Sequence, residues 1–166
     1  IYDDIVSAPA DSIRDIMEQL NNEFNGSYPI ARDFMGRSIR GDGNISHGSD
    51  SNIAAAISRS KEFGEIVADS ASSTLGTVIK FRSDPNLSRS LHDSTLSGAL
   101  EVNGQSYTFK GDLSDRYDFR YDWLPASWTW RGVGLRLAGN IAKACTDVGL
   151  MKSFDVKVEL DFSGTK

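Results

Sequence analysis

Residues 96–113, LSGALEVNGQSYTFKGDL, contain the pattern that decides the fold class. Two runs of alternating apolar and polar residues flank Asn103-Gly104, which is the strongest short-range signal of a β-hairpin. A type I′ turn at these two residues requires a positive φ at both. In the second run one predicted face is formed by Tyr107, Phe109 and Gly111, and the other by Thr108 and Lys110. The stretch therefore predicts two antiparallel strands with one buried face.

Further strands are predicted on both sides of this hairpin. Upstream, the alternating residues that predict a strand are Thr77, Ile79 and Phe81. A loop with Pro85 and Asn86 separates that strand from the hairpin. Downstream, FDVKVELDF at residues 154–162 alternates apolar and charged residues strictly, which is typical of a half-buried strand with one solvated face.

Helices are predicted where apolar residues recur at spacings of three and four. These segments cover residues 8–25, 30–40 and 50–69, and a later helix begins at Arg131 and ends at Gly149. Residues 40–52, RGDGNISHGSDSN, form a loop by composition. Residues 119–130 are rich in aromatic side chains and are interrupted by Pro125, which predicts an ordered excursion without regular structure.

The sum is an α+β fold, with N-terminal helices followed by a curved antiparallel sheet, a partial barrel, and one late helix. We expect a single domain over residues 1–166, with a helical part at 1–72 and a sheet-rich part at 73–166. The chain begins with Ile1 rather than Met, so we expect a processed or excised piece whose targeting or receptor-binding parts lie elsewhere.

The composition excludes several classes of protein. A net charge of −5 argues against a nucleic-acid-binding surface, which needs a basic face to neutralise phosphates. The single cysteine, Cys145, forms no internal disulfide, and two histidines cannot build a His-rich zinc site. Any metal is therefore expected to be held by oxygen ligands, which suits Mg²⁺, Ca²⁺ or Mn²⁺.

One candidate metal site lies in the loop at residues 40–52. Its oxygen and nitrogen donors are Asp42, Asn44, His47 and Asp50. The spacing allows a calcium loop, although the glutamate that closes an EF-hand loop is missing. A plain polar loop is the alternative, and three residues that spell Arg-Gly-Asp at 40–42 are too short a match to indicate integrin binding.

A second candidate site follows the hairpin, in GDLSDRYDF at residues 111–119. Asp112, Asp115 and Asp118 stand at i, i+3 and i+6, and carboxylates in a turn after a strand can converge. Their mutual repulsion would raise a pKa or require a cation, and either outcome is useful for chemistry. Tyr117 adds a hydroxyl donor. The alternative is a solvated strand end, in which Asp-Arg pairs contribute little.

The residues from 97 to 119, SGALEV-NG-QSYTFKGDL-SDRYDF, resemble the activity domain of the colicin M-like bacteriocins. That family has a hairpin followed by Asp-x-Tyr-Asp-Phe, which this sequence matches at Asp115, Tyr117, Asp118 and Phe119. In the family, His-Arg-Gly then opens a helix, and the corresponding residues are Trp130, Arg131 and Gly132. The resemblance covers residues 73–166 and extends faintly into the upstream helices.

The resemblance implies a specific reaction. Members of the family hydrolyse lipid II between undecaprenyl and diphosphate, with a divalent cation, on the periplasmic side of the target cell. By resemblance, Asp118 is a metal ligand or base, Asp115 is the second carboxylate ligand, Tyr117 is a positioning donor, and Arg131 contacts the diphosphate. The implied cofactor is Mg²⁺ or Ca²⁺. These roles suit the residue types, because a cation and an arginine stabilise a departing diphosphate.

Two features depart from the family pattern. The spacing from Asp118 to Arg131 is longer, and Trp130 occupies the place of the histidine although an indole neither takes nor gives a proton at neutral pH. The role of that histidine could pass to His92, His47 or Asp122, or be lost. The aromatic side chains that could grip a lipid surface, or pack in the core, are Tyr121, Trp123, Trp128 and Trp130.

The functional hypothesis is therefore a secreted or delivered antibacterial toxin domain that acts in the periplasm of Gram-negative bacteria. Its expected partners are lipid II at the inner-membrane surface and a cognate immunity protein, with no nucleic acid, and the chain is expected to be a monomer. The alternative is a non-catalytic module that binds a polyprenyl phosphate or a cell-wall ligand. A third reading is an α+β domain in which the acidic segment has no chemical role.

Overall fold

A computed structural model of the chain describes residues 15, 17–18, 21–22, 27–91, 93–118, 145–147 and 149–166. The chain divides into two compact units. The first unit comprises Ile1–Gly43 and Tyr117–Phe154, and the second comprises Asn44–Arg116 and Asp155–Lys166. Both units draw on two separate stretches of chain, so neither is one continuous segment.

The described residues form an α+β structure, as predicted. In chain order the elements are α1 (Pro29–Arg40), β1 (Ile45–His47), α2 (Asn52–Arg59), α3 (Lys61–Asp69), β2 (Ser73–Lys80), α4 (Pro85–Ser90), β3 (Asp93–Asn103), β4 (Ser106–Tyr117) and β5 (Phe154–Thr165). The described part of the predicted 8–25 helix and residues 145–147 are also helical. An open five-stranded sheet has the order β1-β5-β4-β3-β2. None of the described helices is long and apolar enough to cross a membrane.

The predicted hairpin is confirmed, but its turn differs in type. Strands β3 and β4 pair in antiparallel register from Thr95↔Ser114 to Asn103↔Ser106. Asn103 is the last paired residue of β3, so the loop consists of Gly104 and Gln105. Gly104 has a φ of 61°, and no non-glycine residue among those described has a positive φ. A positive φ at the first loop residue alone is the pattern of a type II′ turn, so the predicted type I′ turn is wrong.

The core of the second unit lies on one face of this sheet. Burial alternates along the strands, and the buried side chains on this inner face include Leu96, Leu100, Phe109, Leu113, Val156, Val158 and Leu160. Phe63 of α3 covers the face, with its ring 5.5 Å from Phe109 and 5.4 Å from Phe162 in edge-on geometry. Burying each such apolar side chain stabilises the fold by about 1.5–3 kcal/mol.

The loop predicted at residues 40–52 contains a short strand. Strand β1 pairs in parallel with β5, from Ile45↔Val156 to His47↔Val158. The Asn44 side-chain oxygen accepts a hydrogen bond of 2.8 Å from the Asp155 backbone N–H beside this pair. The sheet is therefore not wholly antiparallel. Three residues are too short a pattern to predict a strand from the sequence. The pairing partner of β1 also lies far along the chain, so no neighbouring residues indicate the pairing.

The helix predicted at residues 50–69 is two helices, because Ser60 interrupts it. The Ser60 hydroxyl donates to the Ile57 carbonyl at 2.7 Å and accepts from the Phe63 backbone N–H at 3.2 Å. One hydroxyl thereby ends α2 and caps the start of α3. Serine competes for backbone hydrogen bonds in this way more often at helix ends than inside helices.

The segment around Pro85 is a short helix rather than the predicted loop. Asp84 is its N-cap, and its carboxylate accepts hydrogen bonds from the backbone N–H groups of Asn86 and Leu87 at 2.7 and 3.2 Å. Pro85 stands at the first helical position, where its missing N–H leaves no hydrogen bond unmade. An Asp-Pro pair is a readable helix start, so the sequence did contain this signal.

The first unit is organised around α1. The Ser38 hydroxyl of α1 donates to the Lys152 carbonyl at 2.8 Å, and the Lys152 backbone N–H donates to the Ser38 carbonyl at 3.0 Å. Gly149 has a φ of 79°, and the Leu150 backbone N–H donates to the Cys145 carbonyl at 2.8 Å. Gly149 therefore ends the helical residues 145–147 as predicted. The remainder of the predicted helix from Arg131 lies outside the described residues.

Candidate functional site

Asp115 lies on the inner face of β4. Burial along this strand alternates, and Asp115 is half-buried at a position that shares its face with the buried Leu113 and Phe109. The Asp115 carboxylate accepts a hydrogen bond of 2.8 Å from the Arg116 backbone N–H. The Arg116 guanidinium lies on the opposite face and contacts the Asp155 carboxylate at 2.9 Å. The Asp115 carboxylate is thus directed away from the charged surface of the sheet.

Asp112 does not join Asp115, so the predicted convergence of three carboxylates is wrong. Strand β4 continues to Tyr117, and residues three apart on a strand point to opposite faces. Asp112 lies on the outer face, where Lys157 approaches it at 3.8 Å and the Ser114 hydroxyl donates to it at 3.4 Å. These are surface contacts, which contribute little to stability. For Asp112 the alternative of a solvated charge is the correct one.

Tyr117 ends β4 as part of a buried aromatic cluster of the first unit. Its ring lies 5.0 Å from Phe154 and 5.5 Å from Phe34, the latter in edge-on geometry. The Arg37 guanidinium of α1 lies 6.0 Å from the Phe154 ring centre. Burial raises the pKa of Tyr117, so the phenol stays protonated over the whole physiological range and remains a hydrogen-bond donor.

Asp118 follows Tyr117 directly and is half-buried. Asp118 and Tyr117 belong to the first unit, whereas Asp115 belongs to the second. Several predictions fall outside the described residues: they concern Arg131, Trp130, Gly132, His92, Asp122 and the other side chains of the aromatic segment. The structure therefore describes the three residues of the acidic motif and leaves the expected arginine a prediction.

Polar side chains of the loop at residues 40–52 bind to other groups of the protein. The Arg40 guanidinium contacts the Asp42 carboxylate at 2.8 Å. Asn44 is occupied by the backbone of Asp155, as described above. Within the part of the chain that the structure describes, which includes this whole loop, no group of three or more His, Cys, Asp or Glu side chains could hold a metal ion. These contacts fit the plain polar loop.

Ser94 is a residue that the sequence did not single out. It lies on β3, is 0% exposed, and its hydroxyl has no hydrogen-bond partner among the described residues. Buried polar side-chain atoms are nearly always hydrogen-bonded, so such a group calls for an explanation. The signal was present but weak: Ser94 takes an inward position in the alternation that continues with Leu96 and Leu100.

Comparison with known proteins gives one distant likeness. No protein-family model matches the chain, and no curated protein matches it. Among solved structures, the chain is similar to PaeM, a colicin M-like bacteriocin produced by Pseudomonas aeruginosa, with 12% sequence identity and a TM-score of 0.37. The match covers 82% of this chain and 51% of that chain, so this chain spans about half the length of PaeM. A likeness at this level assigns neither an activity nor a site residue.

Proposed function

We propose that this chain is an antibacterial toxin domain that hydrolyses lipid II between undecaprenyl and diphosphate, which blocks peptidoglycan synthesis. The observation that carries the proposal is the inward position of Asp115 on β4. Asp115 is half-buried on the face that also carries the buried Phe109 and Leu113, and a carboxylate at such a position can serve as an oxygen ligand of a divalent cation. The order Asp115, Tyr117, Asp118 at the end of a hairpin supports the same assignment by its resemblance to the colicin M-like family.

The donor set suits a divalent cation such as Mg²⁺ or Ca²⁺. Mg²⁺ is usually held by one or two carboxylates together with substrate phosphates, rather than by a complete cage of protein ligands. In the proposal, Asp115 and Asp118 supply these carboxylates. The orphaned hydroxyl of Ser94 on the strand next to Asp115 fits a site that is completed by a bound group. When bound, the cation would offset the negative charge that develops on the departing diphosphate.

The remaining roles follow from the properties of each side chain. Water hydrolyses the ester bond between undecaprenyl and diphosphate. Asp118 either binds the cation or acts as the base that takes a proton from that water. Tyr117 donates a hydrogen bond that positions the substrate, since its buried phenol stays protonated. Arg131 binds the diphosphate with its planar guanidinium, which matches phosphate oxygens in a bidentate manner.

The test is the incubation of the purified chain with lipid II in the presence of Mg²⁺ or Ca²⁺, with released undecaprenol measured by chromatography. We expect product from the wild type and none after EDTA treatment. Asp118→Ala and Arg131→Ala should abolish turnover, whereas Asp112→Ala, on the outer face, should retain it. A wild-type chain that releases no undecaprenol under either cation contradicts the proposal.

The rival candidate is a non-catalytic module that binds a polyprenyl phosphate or a cell-wall ligand. The observation that supports it is Trp130, which stands where the family has a histidine and which cannot exchange a proton. Saturable binding of lipid II that yields no product and is insensitive to EDTA would favour this module over the enzyme.

The proposed setting is the periplasm of a Gram-negative target cell. The domain would reach it as a secreted or delivered toxin, act as a monomer on lipid II at the inner-membrane surface, and be neutralised by a cognate immunity protein. Expression of the chain with an export signal should reduce the colony count of a Gram-negative laboratory host. The same chain without the signal is the control. Equal colony counts in the two cases would contradict the periplasmic setting.

A further inference from the structure

The buried hydroxyl of Ser94 is a feature of the second unit that packing among the described residues leaves unexplained. Its Oγ is enclosed, and no described residue accepts or donates a hydrogen bond there. Alanine at this position would keep the inner face of β3 apolar and remove the unpaired group. A hydroxyl at such a position is therefore a candidate for a hydrogen bond that forms only when a ligand binds.

The strand register identifies the neighbours of Ser94. On one side, Ser94 pairs with Ile79 of β2, which is buried and apolar. On the other side, the β3–β4 register ends at Thr95↔Ser114, and its continuation by one residue places Ser94 opposite Asp115. Both residues take inward positions in the burial patterns of their strands. By register, Asp115 is therefore the polar group that lies across from the unpaired hydroxyl.

The separation expected at this register permits a hydrogen bond. Residues directly opposed on antiparallel strands have Cβ atoms about 4.5–5.5 Å apart. A serine Oγ and an aspartate Oδ extend toward each other from those Cβ atoms, so a change of side-chain rotamer brings them within the roughly 2.6 Å of a hydroxyl–carboxylate hydrogen bond.

We propose that Ser94 is a positioning residue, whose hydroxyl donates to the Asp115 carboxylate when that carboxylate binds a divalent cation. This inference rests on the proposed function, in which Asp115 is a ligand. The Arg116 backbone N–H donates to one oxygen of Asp115, and the Ser94 hydroxyl would add a donor from the facing strand. Hydrogen bonds of this kind orient a ligating carboxylate, and their loss typically weakens metal binding about 10–100-fold.

The matched test pair is Ser94→Thr and Ser94→Val, which have the same shape and differ only in the hydroxyl. The probe is Mn²⁺ alone, and its affinity is measured from the relaxation rate of water protons. We expect Thr to bind Mn²⁺ about tenfold more tightly than Val. In the lipid II assay we expect kcat to fall in Val relative to Thr, with KM unchanged. Ser94→Ala should unfold at a temperature no lower than the wild type, because it removes an unpaired buried group.

Equal Mn²⁺ affinities of the Thr and Val variants would overturn the proposal, and so would a wild-type chain that binds no Mn²⁺. If the extra methyl group prevents both variants from folding, the comparison between the wild type and Ser94→Ala decides in the same way. Failure of the proposed function gives a different result: the wild type turns over no lipid II, while the Thr–Val comparison of Mn²⁺ affinity still decides the role of Ser94.

Discussion

Gly98 and Gly111 oppose each other across β3 and β4 with no room for a side chain between them. A Cβ on Gly111 would lie 2.6 Å from the Gly98 Cα, closer than real Cβ contacts occur. The two backbones can approach this way only because neither residue has a Cβ. This close approach lies two residues before Leu113 and four before Asp115, so it fixes the strand that presents the carboxylate.

We therefore expect Gly111→Ala to destabilise the chain by about 2–3 kcal/mol, the upper range for overpacking. Urea unfolding followed by circular dichroism measures the change. Gly76→Ala on β2 is the control, since a Cβ there meets nothing within 4 Å. It should change the free energy of unfolding by less than about 0.5 kcal/mol. A similar loss of unfolding free energy in both variants would show that the close approach of the two backbones is not the reason why position 111 requires glycine.

Asp115 and Asp112 offer a matched pair on opposite faces of β4. If Asp115 is a cation ligand as proposed, we expect Asp115→Asn to lower lipid II turnover by at least about 100-fold, because the amide lacks the negative charge of the carboxylate. Asp112→Asn should change turnover by less than about twofold, since it disturbs only surface contacts. Turnover is measured as released undecaprenol. Equal activity of the two variants would remove Asp115 from the site.

Tyr117 is expected to act through its hydroxyl as well as its ring. Tyr117→Phe keeps the contacts with Phe34 and Phe154 and should lower kcat about tenfold, the usual effect of one lost hydrogen bond. Tyr117→Ala should instead lower the melting temperature, because it empties part of the aromatic cluster. If Tyr117→Phe retains full kcat, the phenol has no positioning role.

Glu62 makes the stability of the second unit dependent on pH. Its carboxylate accepts hydrogen bonds from the Arg82 and Ser83 backbone N–H groups at 2.8 and 2.7 Å, and from the Ser83 hydroxyl at 2.7 Å. Burial opposes ionisation, but these hydrogen bonds outweigh it and lower the pKa of Glu62 to about 2. The carboxylate thereby holds the loop between β2 and α4 against α3.

The folded pKa of Glu62 is below its unfolded value, so the stabilisation is present above pH 4.5 and is lost as the pH falls toward 2. Glu62→Gln should lower the free energy of unfolding by about 1–2 kcal/mol at pH 7, with part of the effect screened by solvent. The difference from the wild type should shrink between pH 4.5 and 2 in urea titrations. Glu65→Gln, which removes only an exposed pair with Lys61, is the control and should change the free energy of unfolding at pH 7 by less than about 0.5 kcal/mol.

Ser60 joins two helices through one hydroxyl, so its removal should affect both. We expect Ser60→Ala to destabilise the chain by about 1–2 kcal/mol, the range for a lost N-cap. Ser58→Ala, whose hydroxyl donates only to the Ala55 carbonyl within α2, should be neutral or slightly stabilising. Thermal unfolding compares the two. An equal effect of both substitutions would contradict the capping role of Ser60.

The elements that the sequence predicted correctly depend on neighbours along the chain. Alternation with Asn103-Gly104 predicts the hairpin, and strict alternation predicts β5, because a strand with one buried face has a period of two. The features that the sequence did not predict, the break at Ser60 and the strand β1, lack such a regular pattern. Ser60 looks like an ordinary helix residue in the sequence, and only the structure shows that its hydroxyl bonds to both helices. The pairing of β1 joins residues more than a hundred positions apart, such as Ile45 and Val156.

The candidate site divides in the same way. The acidic motif at Asp115, Tyr117 and Asp118 is visible in the sequence because its residues are adjacent. The face of the sheet on which each carboxylate lies is not visible in the sequence. The position of Asp112 relative to Asp115 depends on whether β4 ends before Asp115 or continues past it. Ser94 was missed because a serine within an alternating run resembles a solvent-facing residue.

By itself, the sequence determined the hairpin, the last strand, the end of the late helix at Gly149 and the acidic motif, all of which follow from local pattern and turn chemistry. Only the tertiary structure decided that Asp112 faces outward, that Asp115 faces inward and that Ser94 lies across from it by register. Those facts depend on where β4 ends and how it aligns with β3. Both are determined by interstrand hydrogen bonds and by packing of the inner face beneath Phe63, which involve residues distant in the chain.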